Sequence, residues 1–211
     1  MSFEPTIKRA VFFIDGQNLY HSAKEAFGYP FPNYDPMKLS QEICLQHGFS
    51  LEQVRFYTGV PERTDNEYWH EFWKKKIQFM KTRNIHVYSR QLVYRNESIT
   101  CPDGQILTKL VGSEKGIDVR IALDIVSLAV SKAYDVAVIF SQDQDLSEVA
   151  DEVKNISLEQ DRWIKRMCAY PTSPTVKNKR GINRTDWFEF DKSFYDRCLD
   201  SNDYRPKRTS S

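Results

Sequence analysis

The sequence predicts an α/β fold in three layers, with a mainly parallel central sheet and helices on both faces. Two observations carry this expectation. First, Ala10–Ile14 (AVFFI) and Asp135–Phe140 (DVAVIF) are short runs, apolar almost throughout, as expected of central strands covered on both sides. Second, strand-like runs alternate along the chain with segments whose apolar residues recur at helical spacing. That alternation implies βαβ crossovers and hence parallel pairing.

The first strand stops at Asp15-Gly16, and a helical pattern follows, with Leu19, Tyr20, Ala23, Ala26 and Phe27 on one face. Gly28 to Asp35 contains Pro30 and Pro32 and reads as a loop. Asp35-Pro36 is a cap and first-turn pair, opening a helix that Gly48 ends. Gln53 to Thr58 alternates as a strand does, and Asp65 to Arg83 places Trp69, Phe72, Trp73, Ile77 and Met80 at helical spacing, a core-packing pattern first and a nucleobase platform second. Lys74, Lys75 and Lys76 accompany them, most simply as a solvated face and alternatively as phosphate contacts.

Ile85 to Tyr94 reads as a single strand. Arg95 to Leu110 reads as a hairpin turning at Pro102-Asp103-Gly104, an excursion from the main sheet. Gly116 to Lys132 is a helix carrying Ile117, Ile121, Ile125, Leu128 and Ala129. After the DVAVIF strand come a helix over about Leu146 to Ile156 and a last strand over about Trp163 to Ala169. Val176 to Arg184 reads as a mobile basic loop and Ser201 to Ser211 as a flexible tail, which leaves one domain over residues 1–200.

With 30 basic against 29 acidic residues and a net charge of +1, the chain is no generic polycation, although a basic rim beside an acidic centre remains open to it. At 40% hydrophobic and 13% aromatic residues it can form a core. Cys44, Cys101, Cys168 and Cys198 are scattered, with no C-x-x-C pair, and read as reduced thiols, not as a zinc site or disulfide frame. No apolar stretch approaches a signal-peptide core or a membrane span, so the expectation is a cytoplasmic protein without a membrane partner.

In an open parallel sheet, ligands bind at the carboxyl ends of the strands. Both apolar runs end in acids: Ile14 leads into Asp15, and Phe140 leads through Ser141 to Asp143 and Asp145. Asp118 sits in the first turn of the helix near Gly116. Carboxylates brought that close repel unless a cation lies between them, and an all-oxygen set without histidine or cysteine suits Mg²⁺ or Mn²⁺. Such an ion can acidify a water and neutralise a phosphate.

Each acid also has a plain structural role open to it. Asp15 could be a helix N-cap, Asp118 could favour a helix dipole, and Asp143 and Asp145 could cap the helix that follows. Asn18 could bond the adjacent loop, and Asp124 could form a surface pair with Arg120 one turn earlier.

IDGQN at Ile14–Asn18, EKGIDVRIALD at Glu114–Asp124 and SQDQDLSEVADEV at Ser141–Val153 together resemble the three signature segments of the NYN family. That family is also described as LabA-like, a branch of the PIN-like ribonuclease fold with a Rossmann-type sheet. The similarity spans about Ala10 to Ala169. It implies a divalent metal and RNA hydrolysis, with metal-ligand and catalytic roles on Asp15, Asp118 and Asp143, and Asp145 completing the set. Asn18, Lys115, Asp124 and Ser141 become supporting or phosphate-contacting positions. Gln142 stands where the family's S-G-D-x-D carries glycine, and a side chain there could crowd the substrate or re-aim Asp143.

The leading expectation is therefore an Mg²⁺- or Mn²⁺-dependent endoribonuclease acting on single-stranded or structured RNA. Lys115, Lys177, Lys179, Arg180 and Arg184, with Lys74–Lys76, are the candidate basic contacts. The alternative is an RNA-binding or regulatory module of the same fold that has lost the chemistry. An aspartyl-nucleophile phosphatase ranks last, because the second aspartate it requires is Gln17 here. No G-x-G-x-x-G follows the first strand, and no Walker A motif occurs. The hairpin is the preferred element for substrate or partner selection, and the oligomeric state, a homo-oligomer included, stays open.

Overall fold

The computed structural model describes residues 3–100 and 106–207. The turn expected at Pro102-Asp103-Gly104, Cys101 and the last four residues lie outside that range. The elements are β1 (Arg9–Asp15), α1 (Gly16–Phe27), α2 (Pro36–His47), β2 (Ser50–Val60), α3 (Glu67–Thr82), β3 (His86–Gln91), β4 (Val93–Thr100) and β5 (Ile106–Ser113). After them come α4 (Ile117–Val130), β6 (Val136–Phe140), a 3₁₀ turn (Gln144–Leu146), α5 (Ser147–Glu159), β7 (Lys165–Pro171), β8 (Asp186–Phe190) and α6 (Lys192–Arg197).

Six strands form one sheet in the order β3-β2-β1-β6-β7-β8, every neighbouring pair parallel. The two apolar runs are the two central strands, and Ala10 to Ile14 are all 0% exposed. Strand parity divides the core. Ala10, Phe12 and Ile14 pack with residues of α1, α2 and α3, including Leu19, Ile43 and Phe72. Val11 and Phe13 pack on the opposite face with Ile117, Ile121 and Ile125 of α4 and Val149 and Val153 of α5. Asp15 continues the Val11–Phe13 parity and so lies toward α4. Chain order runs outward from β1 through β2 and β3 on one side and from β6 through β7 and β8 on the other, so the switch of direction falls between β1 and β6. The carboxyl ends of these two strands are the fold's natural binding crevice.

The caps at α2 follow the sequence: Asp35 Oδ1 accepts from the Met37 amide at 2.9 Å, and Gly48 ends the helix. Other expectations change. Ile85 to Tyr94 is not one strand. It divides at Leu92, whose amide donates to Val60 O at 3.0 Å, so that β3 stays on the main sheet and β4 leaves it to pair antiparallel with β5. The strand over 165–171 is not the last, because β8 and α6 extend the sheet and its cover. Lys76 is neither solvated nor available to phosphate. It is fully buried, donating to Tyr34 O at 2.7 Å and pairing with Asp200 at 3.1 Å. That pairing holds the chain's end: Tyr204 is buried against Phe72 and Phe79, so the segment expected to fray is packed at least that far.

Candidate active site

Asp15 ends β1 and opens α1. Its Oδ1 accepts from the Asn18 amide at 3.0 Å, so the plain N-cap role holds. That cap occupies one of two carboxylate oxygens, and a ligand role on the other is compatible with it. The side chain is buried, and its pKa is raised to about 6, chiefly because burial disfavours the charge, with the Asn18 amide pulling it back and Asp118 and Asp143 adding repulsion. Asp118 and Asp143 therefore each lie within electrostatic reach of Asp15.

Asp118 is exposed in the first turn of α4. The turn before it is made by Gly116, which adopts φ +70 and where a Cβ would sit 2.7 Å from Arg90 Nη1. Only glycine takes that conformation freely. Two residues earlier lies an acid that sequence reasoning quoted but gave no role. Glu114 accepts from the Gly59 amide through Oε1, and its pKa is raised to about 7, first by burial and then, against the Gly59 bond, by Asp15 and Asp118. The signal that could have found it is its place in the EKGID segment, two residues before the left-handed glycine that opens α4.

The β6–α5 loop is built around Asp143. Asp143 Oδ1 accepts from the Asp145 amide at 3.0 Å, and Ser141 Oγ accepts from the Asp143 amide at 3.2 Å. Asn18 Oδ1 accepts from the Gln142 amide at 3.0 Å, tying this loop to α1 as expected for a supporting residue. Asp145 contributes its amide here, and its side chain is exposed. Gln142 does not crowd the acids. Its side chain turns away, accepting from Ser22 Oγ at 2.9 Å and donating to the carbonyls of Asn178 and Arg180 at 3.3 and 3.0 Å. The backbone at Gln142 is also not in the positive-φ region, so this loop can be built without glycine.

The basic residues are arranged differently from expectation. Lys115 is exposed beside Glu114 at the rim. The loop carrying Lys177, Lys179, Arg180 and Arg184 is tethered. Gln144 and Gln142 bond its backbone, the Lys177 amide donates to Glu25 at 3.1 Å, and Arg184 pairs with Asp151 of α5. Lys179 Nζ turns back to Pro174 O at 3.4 Å and Arg180 Nη2 to Asn183 at 3.2 Å. Asp124 is no surface pair. It is buried and receives Arg55 at 2.9 Å, Arg120 at 2.8 Å and the Tyr57 hydroxyl at 2.8 Å. Its oxygens are committed to those partners, which makes it a brace for α4 on β2 and not a ligand-orienting group.

The donor chemistry suits a hard divalent cation: Asp15, Glu114, Asp118 and Asp143 are all-oxygen donors, and burial, with repulsion from neighbouring acids, raises the pKa of Asp15 and Glu114. The expected ligand cage is not closed, however. Among the described residues, no three His, Cys, Asp or Glu side chains are gathered closely enough to hold a metal ion as they stand. Like charges without an intervening cation keep apart, so an open acidic pocket is the arrangement electrostatics favours.

The family model described as "NYN domain" matches residues 9–159. The chain belongs to the NYN domain family. Its match takes in β1 through α5, and with them every acid of the pocket. A crystal structure of a protein of unknown function from Vibrio parahaemolyticus is similar to the chain at 16% identity, covering 93% of this chain and 99% of that one with a TM-score of 0.54. That likeness shows the fold. No curated protein matches the chain. NYN domains are PIN-like and have a nuclease-type fold; the family is generally one of nucleases, which implies RNA binding, and its members generally use divalent metals. Among the described residues no helix is long and apolar enough to cross a membrane.

Proposed function

We propose that this NYN domain protein is an endoribonuclease that uses Mg²⁺ or Mn²⁺ to hydrolyse phosphodiesters of RNA in the cytoplasm. The observation that carries the reading is the uncompensated acidity at the sheet's switch point. Asp15 and Glu114 are held against their preferred ionisation, and among the described residues no arginine or lysine forms an ion pair with them. A site that gathers negative charge without a cation of its own is suited to receive one.

In this reading Asp15, Asp118 and Asp143 would hold the ion, with Glu114 joining them. Bound there, the ion offsets charge on the phosphate and makes a water more acidic. Ser141 and Asn18 fix the loop that presents Asp143, and Asp145 steadies it through its amide. Lys115 meets the scissile phosphate at the rim. Lys177, Lys179 and Arg180 contact the flanking backbone only by leaving their present intraloop partners.

Purified protein incubated with single-stranded RNA should cleave it in Mg²⁺ or Mn²⁺, and Asp143→Asn should abolish cleavage with the fold retained. Cleavage that persists in EDTA would sink the proposal. The binding-module reading is favoured by one observation, the lack of a closed ligand set among the described residues. It requires RNA binding with no cleavage under either metal, and affinity unchanged or tightened by Asp143→Asn.

A further inference from the structure

A cavity of about 390 Å³ opens between α1, the start of α3 and the β4–β5 hairpin, walled by Tyr20, Trp69, Trp73 and Tyr94. We propose that it is a subsite for one nucleobase of single-stranded RNA, seated beside the acidic pocket. The inference rests on the nuclease reading for the source of that RNA.

Its size lies within the ~300–1,000 Å³ of ordinary small-ligand sites. Trp73 is buried and forms the floor, while Tyr20, Trp69 and Tyr94 are half-buried. A base stacks on such aromatic faces whatever its identity. The polar lining residues are Gln17, Asp65 and Asn66, and among the described residues neither lysine nor arginine lines the cavity. The Asp65 carboxylate disfavours phosphate there and suits the neutral edge of a base. Asn66 Oδ1 is taken by the Trp69 amide at 3.1 Å, which leaves its amide hydrogens to donate. Asp65 and the Gln17 carbonyl can accept, so the set fits a base carrying an exocyclic amine.

Gly59 joins the two sites. It accepts from Gln17 Nε2 at 3.5 Å and donates to Glu114. A Cβ on Gly59 would lie 2.6 Å from Glu114 Cγ and would also collide with the cavity residue Leu92. A single glycine's width separates the cavity from Glu114, and a nucleotide whose phosphate sits at the acids can place its base or its neighbour's base in the cavity.

The test measures binding of labelled oligoadenylate by the full chain in EDTA, by fluorescence anisotropy, beside an abasic ribose-phosphate chain of equal length. Tyr94→Ala, at the outer wall, and Trp69→Ala should each weaken oligoadenylate binding about 5- to 150-fold. Trp69→Phe should recover most of the affinity, and an unchanged melting temperature in Tyr94→Ala separates lost stacking from a folding defect. The abasic chain should bind the wild type weakly and lose nothing further in the variants. Equal binding of both chains, with affinity unchanged in Tyr94→Ala and Trp69→Ala, overturns the subsite and leaves the cavity to an apolar side chain of a protein partner. Cleavage in Mn²⁺ is scored separately. Cleavage without base dependence sinks the subsite alone, base-dependent binding without cleavage sinks the nuclease reading alone, and no RNA binding at all sinks both.

Discussion

Asp15 and Asp124 are both buried, at 8% and 6% exposed, and lie on neighbouring elements of one face, yet their ionisation is driven in opposite directions. Burial pushes both carboxyls up. At Asp124, hydrogen bonds from Tyr57, Arg55 and Arg120, with the charge of Arg55, more than reverse that and hold the group below the ordinary aspartate value. Asp135 behaves likewise beside Arg9 and Arg162. At Asp15 the side chains within electrostatic reach are other acids, so the value stays near 6, and at Glu114 near 7. The same desolvation thus yields a brace where cations accompany the acid and a reserve of unspent negative charge where they do not.

The largest expected contrast sets Asp143→Asn against Asp124→Asn. Loss of partners behind metal ligands commonly costs 10–100-fold, so removing a ligand itself should lower Mn²⁺-dependent RNA cleavage by at least about 100-fold. Asparagine still caps the loop, so the melting temperature should hold. Asp124→Asn should do the opposite. It leaves Arg55 and Arg120 without their charge partner and should cost about 2–3 kcal/mol, below the ~3–5 kcal/mol of a fully buried pair because Arg120 is 43% exposed. Thermal unfolding should then fall by roughly 5–10 °C. An Asp124→Asn protein that melts normally but loses all cleavage would break the division between the two groups.

How far the sequence foretold this division depends on the reach of each contact. Asp15 and Asp143 were legible because each ends an apolar run, and a strand covered on both faces leaves its carboxyl end as the place where a charge can emerge. The sheet and most helices were legible for the same reason, through periodicity. Asp124 was misplaced on the surface because Arg55 and Tyr57 lie 69 and 67 residues away. Lys76 was misread with its two neighbours because Asp200, 124 residues on, turns it inward. β8 escaped notice although Trp187, Phe188 and Phe190 sit within five residues, since a strand paired through a long loop carries little local signal. Glu114 sits in a connecting segment without periodicity, so its one local signal is its place in the EKGID segment, and its charge coupling to Asp15 and Asp118 arises only in the fold.

The pH dependence separates the two groups again. Unfolded, Asp15 and Glu114 ionise near pH 4; folded, they keep their protons to about 6 and 7. Between those limits the folded state binds more protons, so stability is highest near pH 4–5 and falls as pH rises to about 7, then levels. From Asp15 the loss between pH 5 and 7.5 is about 1–2 kcal/mol. Asp124 and Asp135, whose values are lowered, act at the other end: their contribution is complete above pH 4 and disappears as pH falls below it. Thermal melts across pH should therefore form a dome. Mn²⁺ should lift its neutral limb and leave pH 5 nearly unchanged, and Asp15→Asn should flatten that limb without any metal. A neutral limb that neither responds to Mn²⁺ nor changes in Asp15→Asn would remove Asp15 from the charge reserve.

The smallest expected effect concerns the residue that departs from the family pattern. Because the Gln142 side chain reaches Ser22 and the carbonyls of Asn178 and Arg180, its role is to bind the β7–β8 loop to α1. Gln142→Gly should therefore not rescue or enhance cleavage through relief of crowding. It should release the loop at a cost of about 1 kcal/mol, from lost side-chain hydrogen bonds and a freer backbone. The freed Lys179 and Arg180 could then reach RNA, so affinity should change by less than about 10-fold while the Mn²⁺ requirement stays as it was. A rise in turnover of more than 10-fold in Gln142→Gly, at unchanged RNA affinity, would mean that the glutamine obstructs the acids after all and that the tether to Asn178 and Arg180 is not its main contribution.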